Sequence, residues 1–511
     1  MFANYNVVCI THTNLPISEL VKVNQGCRAN KTGFILAETL GLAGYVFVDF
    51  GDKHIVTDLD GEPCRQFILS GVEQDENGYV TVHEDKRHSF QDGDFVKFRE
   101  VDGMSELNDL EPVEIFDCKP FSFKIKCDTR GFKSYTRNGV VENVKVPTEQ
   151  SYKSLSDVLA DPAAADIQGF LQNPSMKFMG MQRSEQLHLA LRAVHMFRET
   201  HNKFPETADI DECIGFANKL NEEGKAAGKL NVEELDKDVV HNTVAYSRCS
   251  ITSMAAFFGG IVAQEITKFT GKYQPIKQMM HYDCFESLPT GEVNRAPRGC
   301  RYDDQIRIFG QEVQDKLGKV NTFMVGAGAL GCEYIKGFAM MGLGCGEGGL
   351  VQVTDNDNIE VSNLNRQFLF RQANVGHSKS ETACTIGKEM NPDFNVKSYV
   401  SLVAPNTENT FNDEFWESLD FVVNAVDNVK ARHYVDGRCV WYEKPLLESG
   451  TLGTKANSQM IIPHKTQCYS DSQDPPEESI PMCTLRNFPN QIEHCIEWGR
   501  DQFNTLFTDR A

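Results

Sequence analysis

The stretch NTFMVGAGALGCEYIKGFAMMGLG, residues 321–344, decides the fold. An apolar strand, TFMV, runs into Gly326-x-Gly328-x-x-Gly331, and an apolar helical pattern follows at once. Glycines in that order permit a tight strand-to-helix turn and let the backbone approach a phosphate. They also aim amide N–H groups and the helix N-terminus at negative charge. A tight turn without a ligand has the same spelling, so the surrounding residues must decide. The next strand, LVQVTD, ends in Asp355, 24 residues beyond Gly331 (355 − 331). That is close to the roughly 20 at which a carboxylate holds ribose hydroxyls. Up to this point NAD and ATP fit equally well.

The residues that follow separate them. DNDNIEVSNLNRQFLF, residues 355–370, brings Asp357, Asn363, Asn365, Arg366 and Gln367, and VGHSKSE adds Lys379. A hydride-transfer site needs an apolar slot for nicotinamide, whereas carboxylate, guanidinium, ammonium and amide groups suit a triphosphate with a metal. ATP is the better ligand, and a dehydrogenase is the reading it displaces. A further strand, DFVVNAVDN, ends in Asp427, at the carboxyl edge where open α/β sheets place their ligands. Asp357 and Asp427 can share one Mg²⁺ with phosphate oxygens; the alternative is that Asp357 only caps a turn.

Outward from this centre the chain is 511 residues long, which predicts several domains. Hydrophobic residues make up 41% and charged ones 24%, the balance of a globular protein. Lys plus Arg number 51 against 72 Asp plus Glu, a net charge of −21 with no basic run, which argues against nucleic acid as a partner. No basic leader with an apolar segment opens the chain and no run of about 18 apolar residues occurs, so neither secretion nor a membrane span is expected. The 16 cysteines contain no CxxC pair, which speaks against a zinc site; reduced core thiols are expected.

The opening, with VVCIT and GFILAE, reads as part of an α/β layer whose front half lies elsewhere. From Tyr45 to about Tyr135, short runs such as YVFVDF, YVTVH, DFVKF and PFSFKIK alternate with Asp-Gly and Asn-Gly turns, predicting a small all-β insert. Residues 145–243 turn helical. In SEQLHLALRAVHMFRETH, Leu187, Ala190, Leu191, Val194 and Phe197 form one buried stripe, with His188 and His195 expected on its polar side or boundary. NEEGKAAGKLN, residues 221–231, reads as a solvent loop. Gly259-Gly260, inside the apolar helix AAFFGGIVAQEITKFTGKY, suggests that another backbone approaches closely.

Taken together, VGAGALGCE, TDNDNIEVSNLNRQFLFR, VNAVDNVKAR, KPLLESGTLGTK and PMCTLRNFPN resemble the ubiquitin-activating enzyme family, over nearly the whole chain. The resemblance implies an α/β fold of Rossmann-like ThiF-type adenylation domains in a partial pseudo-dimer, with an all-β insert and a four-helix-bundle insert. In that scheme residues 1–44 and 244–300 belong to an inactive adenylation domain. Residues 45–135 are the first catalytic-cysteine half-domain, 145–243 the bundle and 301–470 the active adenylation domain, and 471–511 cross over into a second catalytic-cysteine half-domain. ATP contacts are implied for Ala329, Asp355, Arg366, Lys379, Val403, Asp427 and Asn428, besides the glycines, Asn363 and Gln367 read above, with Mg²⁺ on Asp357 and Asp427.

Cys483, in DPPEESIPMCTLRNFPN, matches the family's thioester cysteine, and Arg486 three residues on is a candidate for favouring its thiolate. Arg366 and Lys379 are expected to neutralise phosphate charge as an acyl carboxylate attacks the α-phosphorus. The implied activity is ATP-dependent activation of ubiquitin by a monomer of cytoplasm and nucleus, with conjugating enzymes as partners. The alternatives are an activator of another ubiquitin-like modifier, which the missing CxxC weakens, and a binding-only fragment without turnover. The family's first segment, with an arginine reaching the active site, and its last domains would lie outside residues 1–511, so a fragment is expected.

Overall fold

A computed structural model describes residues 2–11, 15–83, 87–162, 167–169, 183–452, 455–472, 492–503 and 506–507. They fall into two compact units, Met1–Leu317 with Met340–Gly342, and Gly318–Ala339 with Leu343–Ala511.

The first unit is built on a five-stranded sheet in the order Val7–Ile10, Gly33–Leu40, Ala43–Asp49, Met279–Asp283, Ile167–Gly169. Every residue of Ala43–Asp49 is buried, and its neighbours pair with it on both sides. This explains why YVFVDF, expected to open the all-β insert, lies instead in this sheet: its run is apolar from Tyr45 to Val48 and does not alternate. The insert is a closed barrel of Gln66–Glu73, Tyr79–Val82, Phe95–Arg99, Val113–Lys119, Ser122–Ile125 and Val140–Val144. It starts after Tyr45 and continues past Tyr135. Its core, with Val80, Val96, Phe98, Ile115 and Phe123 fully buried, comes from inward positions of alternating strands.

Helices Arg183–His201, Ile210–Ala227 and Lys237–Ala245 pack on one another, and the first also lies on the strand Met279–Asp283. Three sequence expectations change here. His188 and His195 are buried at 1% and 4% exposure, because their helix is covered on several sides. Residues 221–227 are the last turns of the helix Ile210–Ala227, closed by Gly228 in the left-handed region (φ 63°). Gly259 and Gly260 are exposed, and among the described residues nothing lies within 4 Å of where a Cβ would stand, so none of those residues' backbone packs against them.

The second unit carries a six-stranded sheet in the order Val396–Tyr399, Leu350–Thr354, Asn321–Val325, Phe421–Asn424, Leu446–Leu452, Lys455–Ile461. All adjacent pairs are parallel except the last, which is antiparallel. Asn321–Val325 lies between Leu350–Thr354 and Phe421–Asn424, so chain order reverses beside the glycine turn, the place where doubly wound sheets open a crevice. Phe323, Trp416, Val422 and Leu446 fill the core below it. No helix among the described residues is long and apolar enough to cross a membrane.

Candidate nucleotide site

The glycine turn sits between the strand Asn321–Val325 and the helix that Ala329 opens. Gly326 has φ 101°, and a Cβ on it would stand 2.4 Å from the Ala425 carbonyl oxygen. A Cβ on Gly331 would stand 2.4 Å from the Gly326 carbonyl oxygen. Both positions therefore require glycine for backbone-on-backbone contact. Gly328 differs, since the nearest atom to its missing Cβ is Gln367 Nε2 at 3.8 Å. Its space is open towards Gln367.

Asp355 ties this turn to the next segment. Its Oδ2 accepts from the Ala327 N–H at 2.7 Å and its Oδ1 from the Asp357 N–H at 2.8 Å. Burial pushes its carboxyl above the ordinary range, against the pull of those two N–H donors. Lys379, the first residue of the helix Lys379–Met390, is 8% exposed, and its Nζ lies 2.8 Å from Asp357 Oδ2. Its backbone N–H donates to the Asp357 carbonyl, and Ser380 Oγ donates to the carbonyls of Asp355 and Tyr399. The carboxylate that closes the local turn is thus Asp355, while Asp357, its side chain 59% exposed, is paired with an ammonium.

Other expected residues divide sharply. Gln367 is 3% exposed, and its Oε1 is buried beside the glycine turn without a partner among the described residues. Asn363 Oδ1 accepts from the Glu360 N–H, so that side chain builds the turn Val361–Asn363. Arg366 Nη1 donates to the Ser362 carbonyl and Asn365 Oδ1. The Val403 side chain packs in the core with Phe411 and Trp416, leaving only its backbone for a ligand. Asp427 is exposed on the turn after Phe421–Asn424, and Asn428 caps the helix Val429–Trp441 by accepting from the Ala431 N–H at 2.8 Å. Cys483 and Arg486 lie outside the described residues.

The donor set suits a nucleotide. An orphaned amide oxygen, an open glycine turn, an ammonium and exposed carboxylates stand at the strand ends. Among the described residues no group of three or more His, Cys, Asp or Glu could hold a metal by itself. Mg²⁺ on one or two carboxylates plus phosphates needs no such cage.

Sequence reasoning missed a buried network behind the Asp427 turn. Asn424 Nδ2 donates to Glu448 Oε2 at 2.6 Å, Glu448 pairs with Arg432, and Tyr334 donates to Ser449 Oγ, which donates to the Asn424 carbonyl. The available signal was a polar residue directly after an apolar run, Asn424 in FVVN and Glu448 in LLE.

Strand order and glycine turn are those of a doubly wound nucleotide-binding sheet, and the ThiF family profile matches residues 302–497. Profiles for the ubiquitin-activating enzyme E1 FCCH domain match residues 75–145, for the E1 four-helix bundle 146–221, and for the ubiquitin-activating enzyme SCCH domain 489–511. By this domain set the chain belongs to the ubiquitin-activating enzyme family. It is 45% identical to ubiquitin-like modifier-activating enzyme 1 of Oryctolagus cuniculus, covering 100% of this chain and 48% of that protein. It is also 45% identical to ubiquitin-activating enzyme E1 1 of Candida albicans, over 98% of this chain and 49% of that protein. The chain thus spans about half the length of these relatives.

Proposed function

We propose that this chain carries the ATP-dependent activation of ubiquitin. A C-terminal carboxylate oxygen of ubiquitin attacks the α-phosphorus of ATP, forming ubiquitin adenylate and releasing diphosphate. The Cys483 thiolate then attacks the acyl carbon, forming a thioester and releasing AMP, and the acyl group passes to a conjugating enzyme. The observation that supports this reading most is the latch of Asp355 to the glycine turn, with Lys379 and Asp357 paired beside it.

In this reading Asp355 holds the ribose, while the open turn at Gly328 and the orphaned Gln367 oxygen face the nucleotide. Lys379, already desolvated, exchanges its Asp357 partner for phosphate oxygens, and Arg366 swings from its carbonyl partners to do the same. Asp357 and Asp427 would hold Mg²⁺, which when bound lowers the charge repulsion among the phosphates. The relatives' names include ubiquitin-like modifier activation, so related modifiers belong in the same assays.

Two variants separate the steps. Asp427→Ala abolishes both the adenylate and the thiol-sensitive ubiquitin adduct. Cys483→Ala retains adenylate formation and loses the adduct on a non-reducing gel. An adduct that survives Cys483→Ala would assign the nucleophile to another residue.

A further inference from the structure

We propose that Arg432 and Glu448 form a positioning clamp that fixes the Asp427–Asn428 turn for nucleotide and metal; this rests on the ATP reading above. Asp427 is exposed and makes no hydrogen bond or ion pair among the described residues, so its carboxylate stands wherever its backbone puts it. On one side the backbone is held by the Asn428 cap on the Ala431 N–H. On the other it is held by Arg432, whose Nη2 donates to the Val426 carbonyl at 2.7 Å.

Arg432 is in turn oriented from below. Its Nη1 pairs with Glu448 Oε1, and Asn424 Nδ2 donates to the other Glu448 oxygen. Glu448 is 4% exposed and Asn424 0%. A Cβ at Gly450 would stand 2.6 Å from Arg432 Nη2, so the strand keeps glycine where the guanidinium passes.

Two features argue for a geometric role over a stabilising one. A buried ion pair is often no more stable than apolar residues filling the same volume. Moreover, Asn424 must turn its amide nitrogen to the carboxylate, which leaves its Oδ1 buried without a partner among the described residues. A network that leaves a polar atom orphaned yet pins the Val426 side of the turn, opposite the Asn428 cap, is matched to the position of that turn. A guanidinium alone can reach a carboxylate and a carbonyl at once from one planar fork; an ammonium in its place keeps the charge and loses one contact.

The test is equilibrium titration of this chain with Mg-ATP. Arg432→Lys weakens the Kd by at least about tenfold, the effect expected when support of a metal-binding carboxylate is removed. In an Asp427→Ala background the same change adds nothing further, because the clamp acts through that turn. Glu448→Gln, read the same way, serves should Arg432→Lys fail to fold. An unchanged Kd, or an equal weakening with and without Asp427, overturns the clamp alone. Failure of the unaltered chain to bind Mg-ATP removes the ATP reading and the clamp with it.

Discussion

Three glycines of one motif do two different jobs, and single methyl groups tell them apart. Gly331→Ala forces a Cβ onto the Gly326 carbonyl, a backbone atom that cannot step aside. It should cost about 1–3 kcal/mol in the second unit, the range for overpacking, and remove nucleotide binding. Gly328→Ala meets only Gln367 Nε2 at ordinary contact distance, so the apo melting temperature should stay at the wild-type value. Thermal melting of the two variants side by side checks the pair; equal destabilisation would contradict the assignment. The spacing of glycines was plain in the sequence, but which of them needs its bare Cα was not. That depends on Ala425, a residue 99 positions further on (425 − 326), brought against Gly326 by the pairing of adjacent strands. Asn363 and Val403 show the same limit: one was read from its residue type and the other from the resemblance alone, and neither source tells that one side chain builds a turn and the other packs in the core.

Among elements, the strand-turn-helix at 321–341 was the most legible, because strand, glycines and helix follow one another without interruption. The helix Ile210–Ala227 was less so. Its Lys, Glu and Ala residues are good helix formers but are also common in solvent loops. What carries it on is tertiary: Asn221 exchanges hydrogen bonds with the Val232 backbone, and a Cβ on Gly224 would stand 2.1 Å from the Leu230 carbonyl oxygen. The helix Arg183–His201 was misread on its second side, since a single apolar stripe does not reveal cover by a sheet. Its His188 Nδ1 lies 3.3 Å from His281 Nε2, Tyr45 stacks on His281, and His195 faces Glu38 and Tyr45.

That burial has a pH consequence for the first unit. Desolvation pushes His281 down to about 3 and His188 well below its ordinary value; His195 is also lowered, by burial offset in part by Glu38. The unfolded chain takes up these protons near pH 6.5 while the folded one refuses them. Stability is therefore full above about pH 6.5 and falls as pH drops towards about 3, by about 1.4 kcal/mol per pH unit for each unmatched proton. His281→Leu should flatten the fall in denaturant-unfolding free energy between about pH 6 and about pH 4 relative to the unaltered chain. Parallel curves for the two proteins would show that His281 is not the group responsible.

For the whole molecule, composition and charge set only broad limits, and the family was legible because several separated motifs agree in order along the chain. Cys483 illustrates the dependence. One of 16 cysteines has no distinction by type, and only its motif marks it out. The buried clamp of Arg432 and Glu448 was invisible for the opposite reason: Arg432 stands on a helix in one motif and Glu448 on a strand in another, and neither spacing nor residue type announces the pair.

The central claim is that the nucleotide site activates a carboxylate, and ATP–diphosphate exchange measures that step directly. With this chain, exchange should appear when ubiquitin is added, be absent without it, and vanish in Asp427→Ala while persisting in Cys483→Ala. Mg-ATP binding with no exchange in the presence of ubiquitin or its close relatives would contradict the account, and would leave a nucleotide-binding unit without turnover.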